Sequence, residues 1–356
     1  MDNEISKRKK KILEAVVDSY INECEPVSSS TIKDKYLPDV SSATIRSELA
    51  MLEDMGFLVQ PHISSGRIPS SLAYRYYVDN LIDVDVDNMD IDGIEEKFDT
   101  KFKGVEDIVK NTAKVISDVT NYTSIVVLNP LRTLIENVKL VDLGDGSALV
   151  IIKTDAGIIR DQLIRLPDEL DECNIPTATK MLNNVFSGKT LQEIKDNKTV
   201  IDDSLVDFKE LFNSVIDVLR RYQEESRDKV YLEGQNKIFE YPEYSDVENV
   251  KNFMTVIDKK EELHDLIESD DDIEFSIKIG KDDGDGLSHM ALVTAKYSIN
   301  GREVGHAGVI GPERMDYKKV LKVLSGVSTT LKAMTENTLE NKKQDSEDDK
   351  HGREED

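Results

Sequence analysis

Apolar positions recur at helical spacing almost from the start of the chain. Ile12, Leu13, Val16, Val17, Tyr20 and Ile21 fall on one stripe of an otherwise charged segment, which predicts a core-facing amphipathic helix. A break at Glu25-Pro26 is followed by SSSTIKDKYL, a short segment opened by serines, and by a turn at Pro38-Asp39. The next run, SSATIRSELAMLEDMGFL, puts Ile45, Leu49 and Leu52 on one narrow stripe at about 100° per residue. Its opposite face then carries Ala43, Ser47, Ala50 and Asp54, with Thr44 and Arg46 on the flanks. Gly56 is placed to close that helix in left-handed backbone, and FLVQPHISSGRIPS reads as two extended runs around Ser64-Ser65-Gly66.

Helix, short helix, turn, helix and hairpin is the order of a winged helix-turn-helix, and that order points to sequence-specific duplex DNA. A recognition helix enters the major groove by its first turns, where Arg reads guanine bidentately, hydroxyls read several base edges and Ala or a Thr methyl meets a thymine methyl. The candidate interface on the helix is therefore Ser41, Ser42, Ala43, Thr44, Arg46 and Ser47, with Thr44, Arg46 and Ser47 as the base readers. On the hairpin the candidates are His62, Ser65, Gly66 and Arg67, with Arg67 expected on phosphates or in a narrowed minor groove and otherwise a solvated loop arginine. The run Lys7-Arg8-Lys9-Lys10-Lys11 either rests on a phosphate strand or is a solvated helix end.

Beyond this head, residues 1–80, the pattern changes twice. Residues 81–120 read as an acidic spacer, DVDVDNMDIDG, followed by a helix with Phe98, Phe102, Val105, Ile108, Val109, Thr112, Val115, Ile116 and Val119 at helical spacing. That helix either pairs with its twin in a dimer or packs on its own domain. TSIVVLNP, ENVKLVDL, SALVIIKT and GIIRDQLIRLP then read as strands of an antiparallel meander, punctuated by Gly144-Asp145-Gly146 and Asp155-Ala156-Gly157. A helical block follows, then strands return in KVYLEGQNKIF, EFSIKIG and HMALVTAKYSINGREVGHAGVIG, with Asn300-Gly301 as a hairpin turn. A sheet interrupted and resumed predicts an α+β multidomain chain: one α/β domain in two parts, 121–167 and 229–336, with an insertion at 168–228. The tail 337–356 has almost no apolar residues and is expected to be disordered.

Net charge sharpens the division. The chain of 356 residues carries −25, but residues 1–80 hold ten Lys and Arg against twelve Asp and Glu, so the remaining 276 residues carry −23. An acidic body repels DNA everywhere except at the head and orients its approach. No run of eighteen apolar residues and no signal peptide is present, and Cys24 and Cys173 stand alone, which together suggest a cytoplasmic protein without a membrane partner. The histidines at 62, 264, 289, 306 and 351 have no metal-ligand spacing, with 289 and 306 in strand runs. Asp282-Asp283-Gly284-Asp285-Gly286 lacks the glutamate that would complete a calcium loop and reads as a turn. No catalytic nucleophile, metal or cofactor is expected.

The strings EPVSSSTI, SSATIRSELAMLEDMGFLVQPHISSGRIPS and AYRYYVD resemble the amino-terminal region of the HrcA family of heat-inducible transcription repressors, and GVIGPERMDY, Gly308 to Tyr317, resembles its most characteristic carboxy-terminal string. The resemblance covers residues 5 to about 335. It implies a winged helix, a GAF-like domain, and a dimerisation domain inserted into the latter. It also implies a homodimer that represses chaperone genes from an inverted-repeat operator, the CIRCE element, and releases it on heating, helped into its active form by a GroEL-type chaperonin. Four positions depart from the family pattern: Ser28 for glycine, Ser42 for proline, Ser47 for asparagine and Ala73 for glycine. Ser47 matters most, because asparagine reads adenine bidentately whereas serine makes one ambiguous bond. The residues alone also leave open a repressor whose central domain binds a small-molecule effector.

Overall fold

The structure, a computed structural model, describes residues 5–82, 94–98, 105–129, 133–155, 159–166, 174–196, 209–227, 229–268, 275–280, 287–299 and 302–333. The acidic spacer, Cys173, the Asp282–Gly286 run, the Asn300-Gly301 turn and the tail lie outside them.

The head contains α1 (Lys7–Glu23), α2 (Ser29–Lys35), α3 (Ser42–Asp54), a hairpin of β1 (Leu58–Val59) and β2 (Ile68–Pro69), and α4 (Ser71–Asn80). Its serines have a common purpose. Ser6, Ser28, Ser41 and Ser70 each accept a hydrogen bond from the backbone N–H three residues on, so all four helices begin at a serine cap; such caps contribute about 1 kcal/mol each. Ile12, Leu13, Val16, Val17, Ile32, Ile45, Leu49 and Leu52 are buried together, which is the stripe that the helical spacing predicts. Gly56, at φ +82, turns the chain from α3 into the hairpin.

The body is built on a five-stranded antiparallel sheet in the order β7-β3-β10-β9-β8: β7 (Val230–Glu233), β3 (Thr123–Leu128), β10 (Arg302–Pro312), β9 (Met290–Ile299) and β8 (Phe275–Ile279). Side chains alternate across it. Val126 and Leu128 join one core with α5 (Val105–Thr120) and α11 (317–333), while Ile125 and Val127 join another with Phe253, Ile257, Leu263 and Ile267 of α9 (Val247–Asp258) and α10 (Lys260–Glu268). With helices on both faces, β3 is buried throughout. Of the two packings left open for α5, the one on its own domain is observed.

A separate three-stranded antiparallel sheet, β4 (Ile135–Gly144), β5 (Ser147–Thr154) and β6 (Ile159–Arg165), is covered on one face by α6 (Ile175–Phe186) and α8 (Lys209–Arg227), with α7 (Leu191–Asp196) between them in sequence. Asn183 of α6 ties to the backbone of Val138 at both ends of its amide. This corrects the expected boundary. The residues expected as one first part, 121–167, divide between two sheets, and the excursion from the large sheet runs from β4 to α8 rather than starting at 168. Tight turns link β4 to β5 locally, but β3 finds its partners in β10 and β7, far away in sequence, and no turn signal announces such a pairing.

Candidate nucleic-acid interface

The two faces of α3 have opposite environments. Ile45, Glu48, Leu49 and Leu52 are buried, whereas Ala43, Arg46, Ser47, Ala50, Met51 and Asp54 are exposed. Three of the expected hydroxyls are already engaged. Ser41 Oγ accepts from the Thr44 backbone at 3.1 Å and shares a hydrogen bond with Thr44 Oγ1 at 2.7 Å, and Ser42 Oγ meets Ser29 Oγ of α2 at 3.0 Å. These serines set the start of the helix. The exposed groups left to face a ligand on its first two turns are Ala43, the Arg46 guanidinium and the Ser47 hydroxyl, with Thr44 half-buried beside them.

Glu48 is the residue that sequence reasoning missed. It occupies a core-facing position between Ile45 and Leu52, and its buried carboxylate accepts from Arg8 Nε at 2.9 Å and Nη2 at 2.6 Å, with Lys9 Nζ at 3.3 Å. Burial pushes this carboxyl up, but the hydrogen bonds from Arg8 and Lys9 outweigh it and hold the group below its ordinary range. Two cations of the basic run are thereby anchored to α3, and Lys10 lies 5.9 Å from the ring centre of Tyr76. The run is thus partly engaged in the head itself, while Lys7, Arg8 and Lys11 remain exposed at the start of α1. The available signal was an acid on an apolar stripe, facing a basic cluster.

The hairpin is held by its own polar groups. Ser65 Oγ accepts from the His62 backbone N–H at 3.0 Å and donates to His62 O at 2.7 Å, while the Gln60 amide donates to Ile63 O and Ser65 O at 3.0 and 3.1 Å. Ser65 therefore staples the turn, and His62 and Ile63 are left exposed at its tip. Gly66 is required for space: a Cβ there would lie 2.4 Å from the Val27 carbonyl oxygen. Val27 and Arg67 exchange both backbone hydrogen bonds, at 2.8 and 2.9 Å, so the segment after Pro26 adds a third partner to the hairpin. Arg67 departs from expectation. It sits at the root of the hairpin, 17% exposed at its side chain, with Nε donating to Glu53 Oε2 at 2.8 Å. An acid at the end of α3 has claimed it.

Elsewhere, His306 is buried in β10, but His289 stands in the turn before β9 at φ +61 rather than in a strand. Among the described residues no three His, Cys, Asp or Glu side chains are gathered as a metal site would need, and no helix is long and apolar enough to cross a membrane. A small crevice of about 10 Å³, lined by Ile135, Ile152, Val218, Leu219 and Tyr222, lies between the three-stranded sheet and α8, outside the large-sheet domain where an effector was expected.

Comparison with known proteins agrees over nearly the whole chain. Residues 106–321 match the family model described as HrcA protein C terminal domain. The chain is 35% identical over 334 residues to the heat-inducible transcription repressor HrcA of Ruminiclostridium cellulolyticum, covering 91% of this chain and 95% of that one. It is 37% identical over 339 residues to the repressor of the same name from Clostridium tetani, covering 90% and 93%. Among solved structures, a crystal structure of a hypothetical protein at 2.2 Å resolution superposes with a TM-score of 0.59 over 93% of this chain and 100% of the other, at 19% identity, which shows a shared mixed α and β fold.

Proposed function

The chain belongs to the HrcA family of heat-inducible transcription repressors, and on that premise we propose that its head is a winged helix-turn-helix that reads one half of an inverted-repeat operator of the CIRCE type. The observation that carries this reading is the division of α3, with Ile45, Leu49 and Leu52 buried and Ala43, Arg46 and Ser47 presented to solvent on its first turns. Arg46 reads a guanine, Ser47 adds one hydroxyl contact, and Ala43 lets the helix approach a thymine methyl. Being a repressor, the protein is no enzyme. One head reads only a few base pairs, so two heads related by a two-fold axis supply the specificity of a palindrome.

The homodimer is assigned to the excursion β4–α8. Its sheet leaves Leu143, Ile159 and Leu163 exposed on the face away from α6 and α8, an apolar surface of the kind a second copy covers. The large-sheet domain is assigned as GAF-like on its antiparallel sheet with helices on both faces. A GroEL-type chaperonin assists the repressor into its active form, a role resting on family resemblance. Footprinting on an inverted-repeat duplex, with and without chaperonin and before and after brief heating, tests the reading. Two protected half-sites that vanish on heating and return with chaperonin are expected; no protection at low ionic strength would overturn it.

A further inference from the structure

The head does not hang from the body by a tether alone. Among the described residues, polar contacts made by α1 and α4 join them at four points on the body, Ile279, Glu313, Arg314 and Lys318. Arg75 of α4 donates two hydrogen bonds, at 3.1 and 2.6 Å, to the Ile279 carbonyl at the end of β8. Ser71 donates to Glu313 at 2.8 Å, in a space so close that a Cβ on Gly280 would lie 2.9 Å from Glu313 and 3.1 Å from Ser71. Lys318 lies between Asp18 and Glu14 of α1, at 3.5 and 3.8 Å. Arg314, 12% exposed at its side chain, bonds Glu243 through Nε and donates through Nη1 to Ile21 O at 3.2 Å. Ile21 belongs to the last turn of α1, where carbonyls lack helical partners and the helix end is negative, so a guanidinium there answers both needs.

Three of these four points fall within residues 313–318, the short link between β10 and α11 together with the first two residues of that helix. β10 is held on both sides, by β3 and β9, and Met315 and Tyr317 are fully buried, so this stretch is anchored in the core of the body. Tyr74 of α4 packs against Tyr317, with ring centres 6.3 Å apart. The outward face of α3 takes no part in this and stays exposed with the head in place.

We propose that residues 313–318 clamp the reading head to the body, with Arg314 as the positioning residue, so that the body dictates the half-site spacing the repressor accepts. This rests on the two-headed reading above. A molecule with rigidly held heads pays for a wrong spacing by losing one of its two contacts, since one inserted base pair both lengthens the operator and rotates the second half-site around the duplex. A molecule with free heads does not.

The test uses the full chain and two independent openings of the clamp: Arg314→Met with Glu243→Gln, which removes both members of the buried pair, and Arg75→Met at the other anchor. Binding is measured to a single half-site, to the natural palindrome and to the palindrome with one base pair inserted. For the unaltered protein the insertion is expected to cost about 100-fold, as loss of bivalent engagement does. For the opened variants the penalty should fall below about 5-fold, with single half-site affinity within about 2-fold of the starting protein. In parallel, amide line widths of head residues in free protein should narrow toward those of an independently tumbling 80-residue unit. An unchanged spacing penalty with intact half-site binding overturns the clamp, as do unaltered head line widths in both variants. Narrowed line widths in a protein that binds no duplex would sink the DNA reading and leave the clamp standing.

Discussion

Two groups of cations occupy the head, and the structure treats them in opposite ways. On α3, Arg46 stands exposed between Ala43 and Ala50, with its guanidinium uncommitted to the helix that carries it. At the hairpin root and the start of α1, Arg67, Arg8 and Lys9 are tied down, the first to Glu53 and the others to Glu48. The contrast shows that a count of basic residues overstates what a phosphate backbone can use. The head's own acids on α3 take up cations from α1 and from the hairpin, and in doing so tie both elements to α3. Charge at the root is engaged within the head; charge on the outward face of α3 is exposed.

The largest expected effect tests the architectural half. Gly66→Ala places a methyl 2.4 Å from the Val27 carbonyl and 2.6 Å from that of Pro26, and neither backbone atom has a rotamer to yield. A cost of roughly 3 kcal/mol in stability follows, the upper range for overpacking, with DNA binding lost through displacement of the hairpin. Urea unfolding measures it, and a midpoint equal to the starting protein would mean that the hairpin root is not built as described.

The outward face is tested next. Arg46→Ala should cost about 1 to 3 kcal/mol on the specific operator and relax preference at one base pair, with no change in unfolding midpoint, because the side chain is exposed and supports nothing in the head. Binding to operator and random duplexes decides it. Equal loss on both would move Arg46 from base reading to phosphate contact and erase the distinction between the two cation groups.

How far the sequence foretold this contrast depends on range. The first three helices of the head, the serine that opens α2, the buried stripe of α3 and the Gly56 turn are local, and spacing and residue type reveal them. Ala43, Arg46 and Ser47 could be assigned to one exposed face for the same reason. The fate of Arg67 could not, because Glu53 lies fourteen residues away and meets it only once the hairpin folds back. Arg8 and Glu48 are forty residues apart, and β3 takes β10 as its neighbour across the whole excursion. Periodicity says which way a residue faces; it does not say which distant group will be waiting there.

Glu48→Gln probes the anchored cations at lower amplitude. The folded carboxyl lies below the ordinary glutamate value of about 4.3, so its ionised form stabilises the fold. That contribution is fully present above the unfolded value and disappears as pH falls through the folded one. The starting protein should therefore be about 1 kcal/mol more stable than Glu48→Gln at neutral pH, a charged hydrogen bond discounted for the exposure of Arg8. The gap should close on acidification below about pH 4, which urea midpoints at the two pH values would reveal. A gap independent of pH would show that the shape of the side chain matters there and its charge does not.

Glu53→Gln gives the smallest effect and the finest cut between the regions. With the carboxylate in place, the Arg67 charge is largely compensated and its side chain is only 17% exposed, so Arg67→Ala should weaken all duplexes only slightly. Neutralising Glu53 removes both that competition and a negative charge beside the DNA. Affinity should then rise modestly and equally for operator and random sequences, and the dependence of log K on log salt should steepen by about one phosphate's worth of counterion release. Such an increase would establish that the root withholds its charge because Glu53 holds it. A fall in affinity with an unaltered salt slope would instead make the pair a device for aiming the hairpin, in which case Arg67 belongs wholly to the architecture and Arg46 alone of these arginines to the reading of bases.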